Sequence, residues 1–423
     1  MFEYRIGKRF LIRSYGVKNM IKTIPGGVCA AKGFKAAGIH CGIRKNKTKR
    51  DLALIFSEVK ANTAAVYTTN LVKGAPLTVT KNNIADGKAQ AVICNSGNAN
   101  TCNADGIEKA EAMCKLVSQE LGISEKDVVV ASTGVIGQTL DITPIEKGMK
   151  ELVSSLGDNS KEAAEGIMTT DTALKEIAVE FTAGGKICTI GGIAKGSGMI
   201  HPNMATMLVF ITTDCAISSE MLSIALKNDI ADTFNMVSVD GDTSTNDMVS
   251  VLANGMAGNS EITAEGEDFT AFMQALNTVT VYLCRCIAGD GEGATKLLEC
   301  KVSGAKTKEI AKTVAKSVIC SSLTKAAMFG ADANWGRVLC AIGYSGADVD
   351  VTKIDVAFTS AKGTVEVCKD GAGIDFSEEK AKEILLEKEI EINVSLNDGC
   401  FDSTAWGCDL TYDYVKINGD YRT

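Results

Sequence analysis

The chain has 423 residues, enough for two or three domains, and 45% apolar residues against only 5% aromatic ones describe an aliphatic, Ala/Val/Ile-packed globular protein. Its 44 Lys and Arg face 52 Asp and Glu, a net charge of −8 with an isoelectric point near 5.1, so no basic face is offered to a nucleic-acid backbone. No run approaches the roughly 20 apolar residues of a bilayer crossing, which argues against a membrane-spanning helix.

The first twenty residues are basic, with Arg5, Lys8, Arg9, Arg13 and Lys18 against Glu3. Residues 1–25 read as a loosely ordered extension; a mitochondrial presequence is the alternative, since such segments are Arg-rich and acid-poor. From residue 26 to about 144, short apolar strands alternate with Gly and Asn turns, as where residues 91–94 run into Asn95-Ser96-Gly97-Asn98-Ala99-Asn100. Residues 107–121 place Ile107, Ala110, Cys114, Val117 and Leu121 on one helical stripe that stops at Gly122. Thr143-Pro144-Ile145-Glu146 reads as a capping box with proline at the first helical position, opening a second amphipathic helix that ends before Gly157.

Ile177, Val179 and Phe181 alternate with Glu176, Ala178 and Glu180, and Gly184-Gly185 turns the chain into residues 186–190, a predicted hairpin. Residues 207–211 form a continuous apolar run, the pattern of a strand buried on both faces. Beyond about residue 346 strands are predicted at 354–358, 364–368, 390–394 and 410–417, with a helix at 377–388 between them. The fold class is α/β (α+β), divided into the extension 1–25, a catalytic α/β unit in two stretches, 26–205 and 206–330, and a smaller C-terminal domain, 331–423.

Fifteen cysteines are scattered singly, the only close pair being Cys284 and Cys286, a spacing that suits neither a zinc knuckle nor a C-x-x-C redox pair. Cys94, Cys188, Cys215 and Cys340 lie in apolar runs, where a free thiol acts as a small hydrophobe, and a reducing cytoplasm is the expected setting.

The segment with the most chemistry is Lys195-Gly196-Ser197-Gly198-Met199-Ile200-His201-Pro202-Asn203-Met204-Ala205-Thr206, a glycine-studded loop that stops against the buried run 207–211. A threonine hydroxyl is a weak nucleophile and needs a base; a threonine made N-terminal uses its own α-amine, which titrates at about 7.7 to 8.0 and so near working pH. Freeing that amine requires a cut between Ala205 and Thr206. The small Ala205 side chain lets the hydroxyl approach the preceding carbonyl, and the glycines permit the strained geometry of an N-to-O acyl shift. With only His40 and His201 in the chain, Ser-His-Asp or Cys-His catalysis and a multi-histidine metal site are disfavoured, and His201 reads as structural.

Residues 195–208 resemble the cleavage-site motif of the ornithine acetyltransferase (glutamate N-acetyltransferase) family. The likeness runs on through residues 33–40, 95–100, Ser132-Thr133-Gly134-Val135-Ile136-Gly137, Met168-Thr169-Thr170-Asp171-Thr172, 238–247, Asp290-Gly291-Glu292-Gly293-Ala294-Thr295-Lys296, 330–337 and the terminal 418–423. What it implies is an N-terminal-nucleophile-like layered α/β sandwich that cuts itself before Thr206. Thr206 would then move acetyl from N-acetylornithine to glutamate by a ping-pong route in arginine biosynthesis.

By the same resemblance Thr133 and Gly134 form the oxyanion hole, where such donors lower the barrier by roughly 3 to 4 kcal/mol. Lys195 binds an α-carboxylate, Glu292 pairs with the ornithine side-chain ammonium, and Thr169 or Thr170, Asn418 and Thr423 complete the shell, the last two on an ordered tail. Taken without the resemblance, Glu292 would be a turn residue, and Lys195 and Asn418 surface polar groups. No role is assigned to Asp332, Asn334, Trp335 and Arg337. The resemblance also implies an α2β2 assembly and no resident cofactor or metal; acetyl-CoA as a further donor stays open, because the absence of a G-x-x-x-x-G-K-[ST] cradle says little about coenzyme A. A self-cleaving aminopeptidase or amidase is the nearest rival, and a non-catalytic ligand binder the next.

Overall fold

A computed structural model describes residues 21–201 and 207–419. Most of the expected N-terminal extension, with its presequence alternative, lies outside the described residues, as do Ala205, Thr206 and Thr423.

The chain opens with β1 (Lys22–Ile24), β2 (Phe34–Ile39) and the 16-residue β3 (Leu52–Tyr67), then α1 (Ala75–Asn83), β4 (Lys88–Asn95), α2 (Gly106–Leu121), β5 (Val128–Ser132), α3 (Thr143–Ser154) and α4 (Ser160–Ile167). Next come β6 (Lys175–Ala183), β7 (Lys186–Lys195), β8 (Leu208–Thr213), α5 (Ser219–Asp232), β9 (Val237–Ser238), β10 (Met248–Ala253) and α6 (Glu267–Gly289). The remainder is β11 (Leu297–Ala305), α7 (Lys308–Cys320), α8 (Ser322–Phe329), α9 (Trp335–Gly343), β12 (Asp355–Ser360), β13 (Gly363–Lys369), β14 (Ala372–Gly373), α10 (Glu378–Leu385), β15 (Glu389–Ser395), β16 (Phe401–Cys408) and α11 (Tyr412–Gly419).

A nine-stranded sheet runs β1-β6-β7-β8-β10-β3-β4-β5, with β2 also on β3. Strand β3 is long enough to serve two partners' worth of sheet: residues 62–67 pair with β10, residues 52–57 with β2, and its register against β4 shifts between Phe56 and Ala61. The sheet therefore folds over itself. Alternating side chains prove it, because successive residues of a strand point to opposite faces. Val92, Cys94, Val129 and Ala131 share a buried cluster with Ile193, Leu208, Phe210 and Met248, whereas Ala91, Ile93, Val128 and Val130 pack outward against α2 and α3. On the other side Val209, Ile211, Val249 and Val251 pack against α5 and α6. Helix, sheet half, sheet half, helix is the expected layered α/β sandwich.

The second sheet runs β14-β13-β12-β15-β11-β16-β9, drawing β9 and β11 from ahead of residue 331. Helix α7 covers β11 and β16, while the 23-residue α6 lies on β6 and β7 and also reaches β9, β11 and β16. One buried cluster, including Phe181, Phe272, Leu283, Leu298, Val314 and Ala405, thus continues from the first sheet into the second.

Local sequence rules account for most of these elements. The hairpin β6–β7 closes on Gly184 and Gly185 at φ 54° and 69°, two left-handed positions that suit the right-handed twist of the strands. Helix α2 stops at Gly122 at φ 68°, burying Ala110, Cys114 and Val117, but Ile107 on its first turn is 42% exposed.

The expected capping box of α3 does not form. Asp141 accepts the Thr143 N–H at 3.0 Å, so Thr143 enters the helix, Pro144 falls second rather than first, and no side chain caps Ile142. Residues 410–417 are not a strand: β16, a strand the sequence pattern passes over, takes the place beside β11, and α11 turns back instead, with Thr411 Oγ1 accepting the Tyr414 N–H at 3.3 Å. Cys340 is exposed, since α9 buries the opposite stripe of Val338, Ala341 and Ile342. All fifteen cysteines are free, and among the described residues no helix is long and apolar enough to cross a membrane.

Candidate active site

The two sheet halves meet at one rim, where the carboxyl ends of β4, β5 and β7 come together with the amino ends of β8 and β10. Lys195, last in β7, pairs with Leu208, first in β8, and Leu208 pairs with Met248, first in β10. All six residues of β8 are buried, as the apolar run from 207 requires. Met248 N–H donates to the Met207 carbonyl at 2.9 Å, so the described chain resumes at Met207 held from the β10 side.

Thr133 and Gly134 follow β5 directly. The Thr133 N–H is taken by the Asn95 carbonyl at 2.9 Å, which fixes the turn, but among the described residues neither the Thr133 hydroxyl nor the Gly134 N–H has a hydrogen-bond partner. Gly134 sits at φ 129°, and a Cβ there would lie 2.8 Å from both Asn98 N and Gly97 C. Only glycine fits this close approach. The turn is braced by two asparagines whose roles the sequence did not reveal. Asn95 Nδ2 donates to Ser132 Oγ at 2.7 Å while its Oδ1 accepts from Gly97 and Asn98 N–H groups. Asn246, just ahead of β10, donates to Ala99 O at 2.6 Å and Ser132 O at 2.9 Å and accepts from the Thr101 and Thr245 hydroxyls. It ties the β5 turn to the head of β10.

Lys195 is 8% exposed, yet its ammonium forms no hydrogen bond or ion pair with a described residue. Its charge is felt by the Asp171 and Asp247 carboxyls, which it favours in their ionised form. Burial pushes the Asp247 carboxyl well above the ordinary carboxylate range, with the Ser244 hydrogen bond and Lys195 opposing, and its Oδ2 has no hydrogen-bond partner among the described residues.

Glu292 is equally buried and reaches the same loop, its N–H donating to Ser197 O at 2.9 Å. A Cβ on Gly198 would stand 2.4 Å from the Glu292 carboxylate, so that glycine makes room for the side chain. Asn418, near the end of α11, donates through Nδ2 to Glu292 Oε2 at 2.8 Å; the structure thus joins two residues 126 apart that the resemblance had paired in one site. The tail is helical to Gly419, anchored where Thr411 Oγ1 donates to Gly293 O at 2.7 Å.

Thr169 and Thr170 are half-buried on the loop after α4, and Thr169 N–H donates to Asp171 Oδ2 at 2.9 Å; no bond of Thr170 distinguishes it from its neighbour. Burial alone would raise the Asp171 carboxyl, but the Lys175 and Lys195 ammoniums and the Gly196 N–H hold it below the ordinary range. Lys175 and Asp290, which the sequence gave no reason to single out, complete a buried ion triplet with Asp171.

His201 lies with Nδ1 3.1 Å from Ser238 Oγ and 3.6 Å from Cys320 Sγ, and burial together with Lys316 pushes its pKa down to about 4. That is a packed, neutral ring. Trp335 packs on Gly373 in the second sheet, Asn334 bonds Asp332 at 3.2 Å and Arg337 bonds the Leu323 carbonyl at 2.9 Å. These are contacts within the α8–α9 region and between it and the second sheet. Among the described residues there is no group of His, Cys, Asp and Glu arranged to hold a metal ion.

Residues 35–423 match the ArgJ family. The arginine biosynthesis bifunctional protein ArgJ of Caldanaerobacter subterraneus subsp. tengcongensis is 52% identical over 405 residues, covering 95% of this chain and 100% of the relative. The arginine biosynthesis bifunctional protein ArgJ 1 of Clostridium acetobutylicum is 51% identical over 392 residues, covering 92% and 96%. A crystal structure of arginine biosynthesis bifunctional protein argJ from Bacillus halodurans is 47% identical over a match covering 50% of this chain and 98% of that one, with a TM-score of 0.48. The chain belongs to the ArgJ family.

Proposed function

We propose that this enzyme is the acetyltransferase of arginine biosynthesis that moves acetyl from N-acetylornithine to glutamate, with Thr206 as the nucleophile after a cut between Ala205 and Thr206. The Thr206 hydroxyl attacks the acetyl carbonyl, its α-amine takes the hydroxyl proton and passes it to the departing ornithine nitrogen, and the acetyl ester remains on Oγ. The glutamate nitrogen then attacks that ester, the Thr206 α-amine accepts its proton and returns it to Oγ as the Oγ–acyl bond breaks, and N-acetylglutamate leaves with the hydroxyl restored. Both tetrahedral intermediates place an oxyanion where the Gly134 N–H and Thr133 hydroxyl stand without partners among the described residues, the arrangement that stabilises developing charge.

The observation that carries the reading is two buried, opposite charges at one rim, Lys195 at the end of β7 and Glu292 on the turn between α6 and β11. Lys195 has no ion partner among the described residues, and Glu292 is held across Ser197 from it. A buried charge without a partner is costly unless a ligand supplies one. Ornithine brings an α-carboxylate for Lys195 and a distal ammonium for Glu292; glutamate brings the α-carboxylate. Thr169, Thr170, Asn418 and Thr423 complete the shell, with Asn418 already on Glu292. An aminopeptidase or amidase would use the same nucleophile but lets water take the acyl group and has no need to hold a zwitterionic acceptor.

The relatives' bifunctional naming supports a second activity, for which acetyl-CoA as a further acetyl donor is the proposal, without a resident cofactor. Exposed Leu323, Tyr412 and Val415 on α8 and α11 suit the contact between cut protomers in an α2β2 assembly. The free thiols suit the cytoplasm.

Intact mass and N-terminal sequencing test the centre of the proposal. Wild-type protein is expected as two pieces, the second beginning Thr206-Met207-Leu208 and gaining one acetyl group when N-acetylornithine is supplied without glutamate. Thr206→Ala is expected uncut and inactive, and Thr206→Ser cut at a reduced rate. An uncut chain with full activity would overturn the mechanism.

A further inference from the structure

The candidate binding residues Thr169, Lys195 and Glu292 come from three separate stretches of chain, and their usefulness depends on fixed distances between them. Beneath them lies Lys175, 1% exposed, with its Nζ 2.8 Å from Asp171 Oδ1 and 2.5 Å from Asp290 Oδ2. Burial opposes the Lys175 charge, but the two carboxylates outweigh it and raise its pKa.

Each carboxylate spends its remaining lone pairs on the backbone of the binding segments. Asp171 accepts from Thr169 N–H at 2.9 Å and from Gly196 N–H at 2.7 Å, the latter adjoining Lys195. Asp290, two residues ahead of Glu292, accepts from Thr172 N–H at 3.1 Å, Ala173 N–H at 3.2 Å and the Thr172 hydroxyl. Its carbonyl takes the Ser197 hydroxyl at 2.7 Å. Every one of the three stretches is therefore bonded to the triplet within two residues of its binding side chain.

A dehydrated ion triplet is a weak source of stability, because the Coulombic attraction largely offsets lost hydration, and apolar side chains fill such space as well or better. Directional bonds to three loops are what apolar packing would not supply. We propose that the buried Asp171–Lys175–Asp290 triplet is a positioning device that sets the spacing of Thr169, Lys195 and Glu292, and through it the length of amino-acid side chain the site accepts. The inference rests on those three residues being the binding shell. They touch the substrate; the triplet acts through them.

The test uses the cut wild-type enzyme, Asp290→Asn and Ser197→Ala, with kcat normalised to the fraction of chain that is cut. For both variants KM for N-acetylornithine is expected to rise about tenfold, the equivalent of about 1.4 kcal/mol of lost binding, while kcat changes far less. Discrimination in kcat/KM between N-acetylornithine and its homologue one methylene longer is expected to shrink. Should Asp290→Asn fail to fold, Ser197→Ala and Thr172→Val, which each remove a single bond to Asp290, carry the same expectation. Lower Tm with wild-type KM and wild-type discrimination would overturn the inference. Lys195→Ala and Glu292→Ala serve as references: if they raise KM while the triplet variants do not, only the positioning role falls, and if they leave KM unchanged, the binding reading falls with it.

Discussion

Gly134 shows how much one missing side chain does. Its φ of 129° and its contact with the 97–98 backbone leave no room for a Cβ, so Gly134→Ala must push the β5 turn away from Asn98 and re-aim the Gly134 N–H, the proposed oxyanion donor. Removing one such donor costs on the order of 100- to 1,000-fold in rate. Gly134→Ala is accordingly expected to lose about that much acetyl transfer per cut site and to cut itself more slowly, followed by steady-state rates and a gel time course. Unchanged rates in both would remove Gly134 from the oxyanion hole.

At this scale the sequence was legible where a residue's neighbours in the chain are also its partners in chemistry. The Gly-rich run ahead of Thr206 announces itself, and the family resemblance added Lys195, Glu292 and Asn418, which the fold brings to one rim. Asn246 was silent for a physical reason. The four hydrogen bonds of its side chain go to Ala99, Thr101, Ser132 and Thr245, three of them more than a hundred residues away, and no spacing rule encodes such a bond. Lys175 is silent for the same reason, since one of its ion partners, Asp290, is 115 residues on.

Among the elements, α11 is unusual in burying no side chain, so its packing adds little to stability. It is held by Thr411 on the Gly293 carbonyl and by Asn418 on Glu292. A chain ending after Thr411 is therefore expected to fold, with Tm within a few degrees of the full chain, but to bind N-acetylornithine at least about tenfold more weakly, since a charge-assisted bond and its neighbours are lost. Calorimetry and steady-state kinetics check the two halves; a normal KM would take the tail out of the site.

The same helix was misread as a strand, whereas the β6–β7 hairpin was read correctly, and the difference lies in where each pattern gets its meaning. Two glycines at a tight turn and strict alternation are local facts. Whether residues 410–417 extend or coil depends on β16 having already filled the place beside β11, which the segment itself does not contain. The capping box at Thr143 failed for a nearer reason: Asp141, two residues upstream, offers the shorter route to the same N–H.

For the molecule as a whole, the layered fold could be anticipated from alternating strands and striped helices, but the bend of the sheet at β3 could not, because the register shift against β4, across the exposed Glu58, Val59 and Lys60, falls inside one continuous strand. The order of strands across the first sheet carries a further consequence. From one edge it passes through β1, β6 and β7, then β8 and β10, then β3, β4 and β5. A cut before Thr206 leaves the outer groups on one piece and the middle pair on the other, so each fragment alone would lack the strands its sheet is built around. Synthesis as a single chain makes the meeting of those strands intramolecular; after the cut, a denatured enzyme has lost that tether. Recovery of activity from urea is thus expected to depend on protein concentration for the cut wild type, while recovery of native structure by uncut Thr206→Ala is not, as dilution series followed by circular dichroism would register. If the bond before Thr206 is cut as proposed, it is in this sense an assembly instruction with a single use: the peptide link brings the pieces to their places once, and any later folding has to do without it.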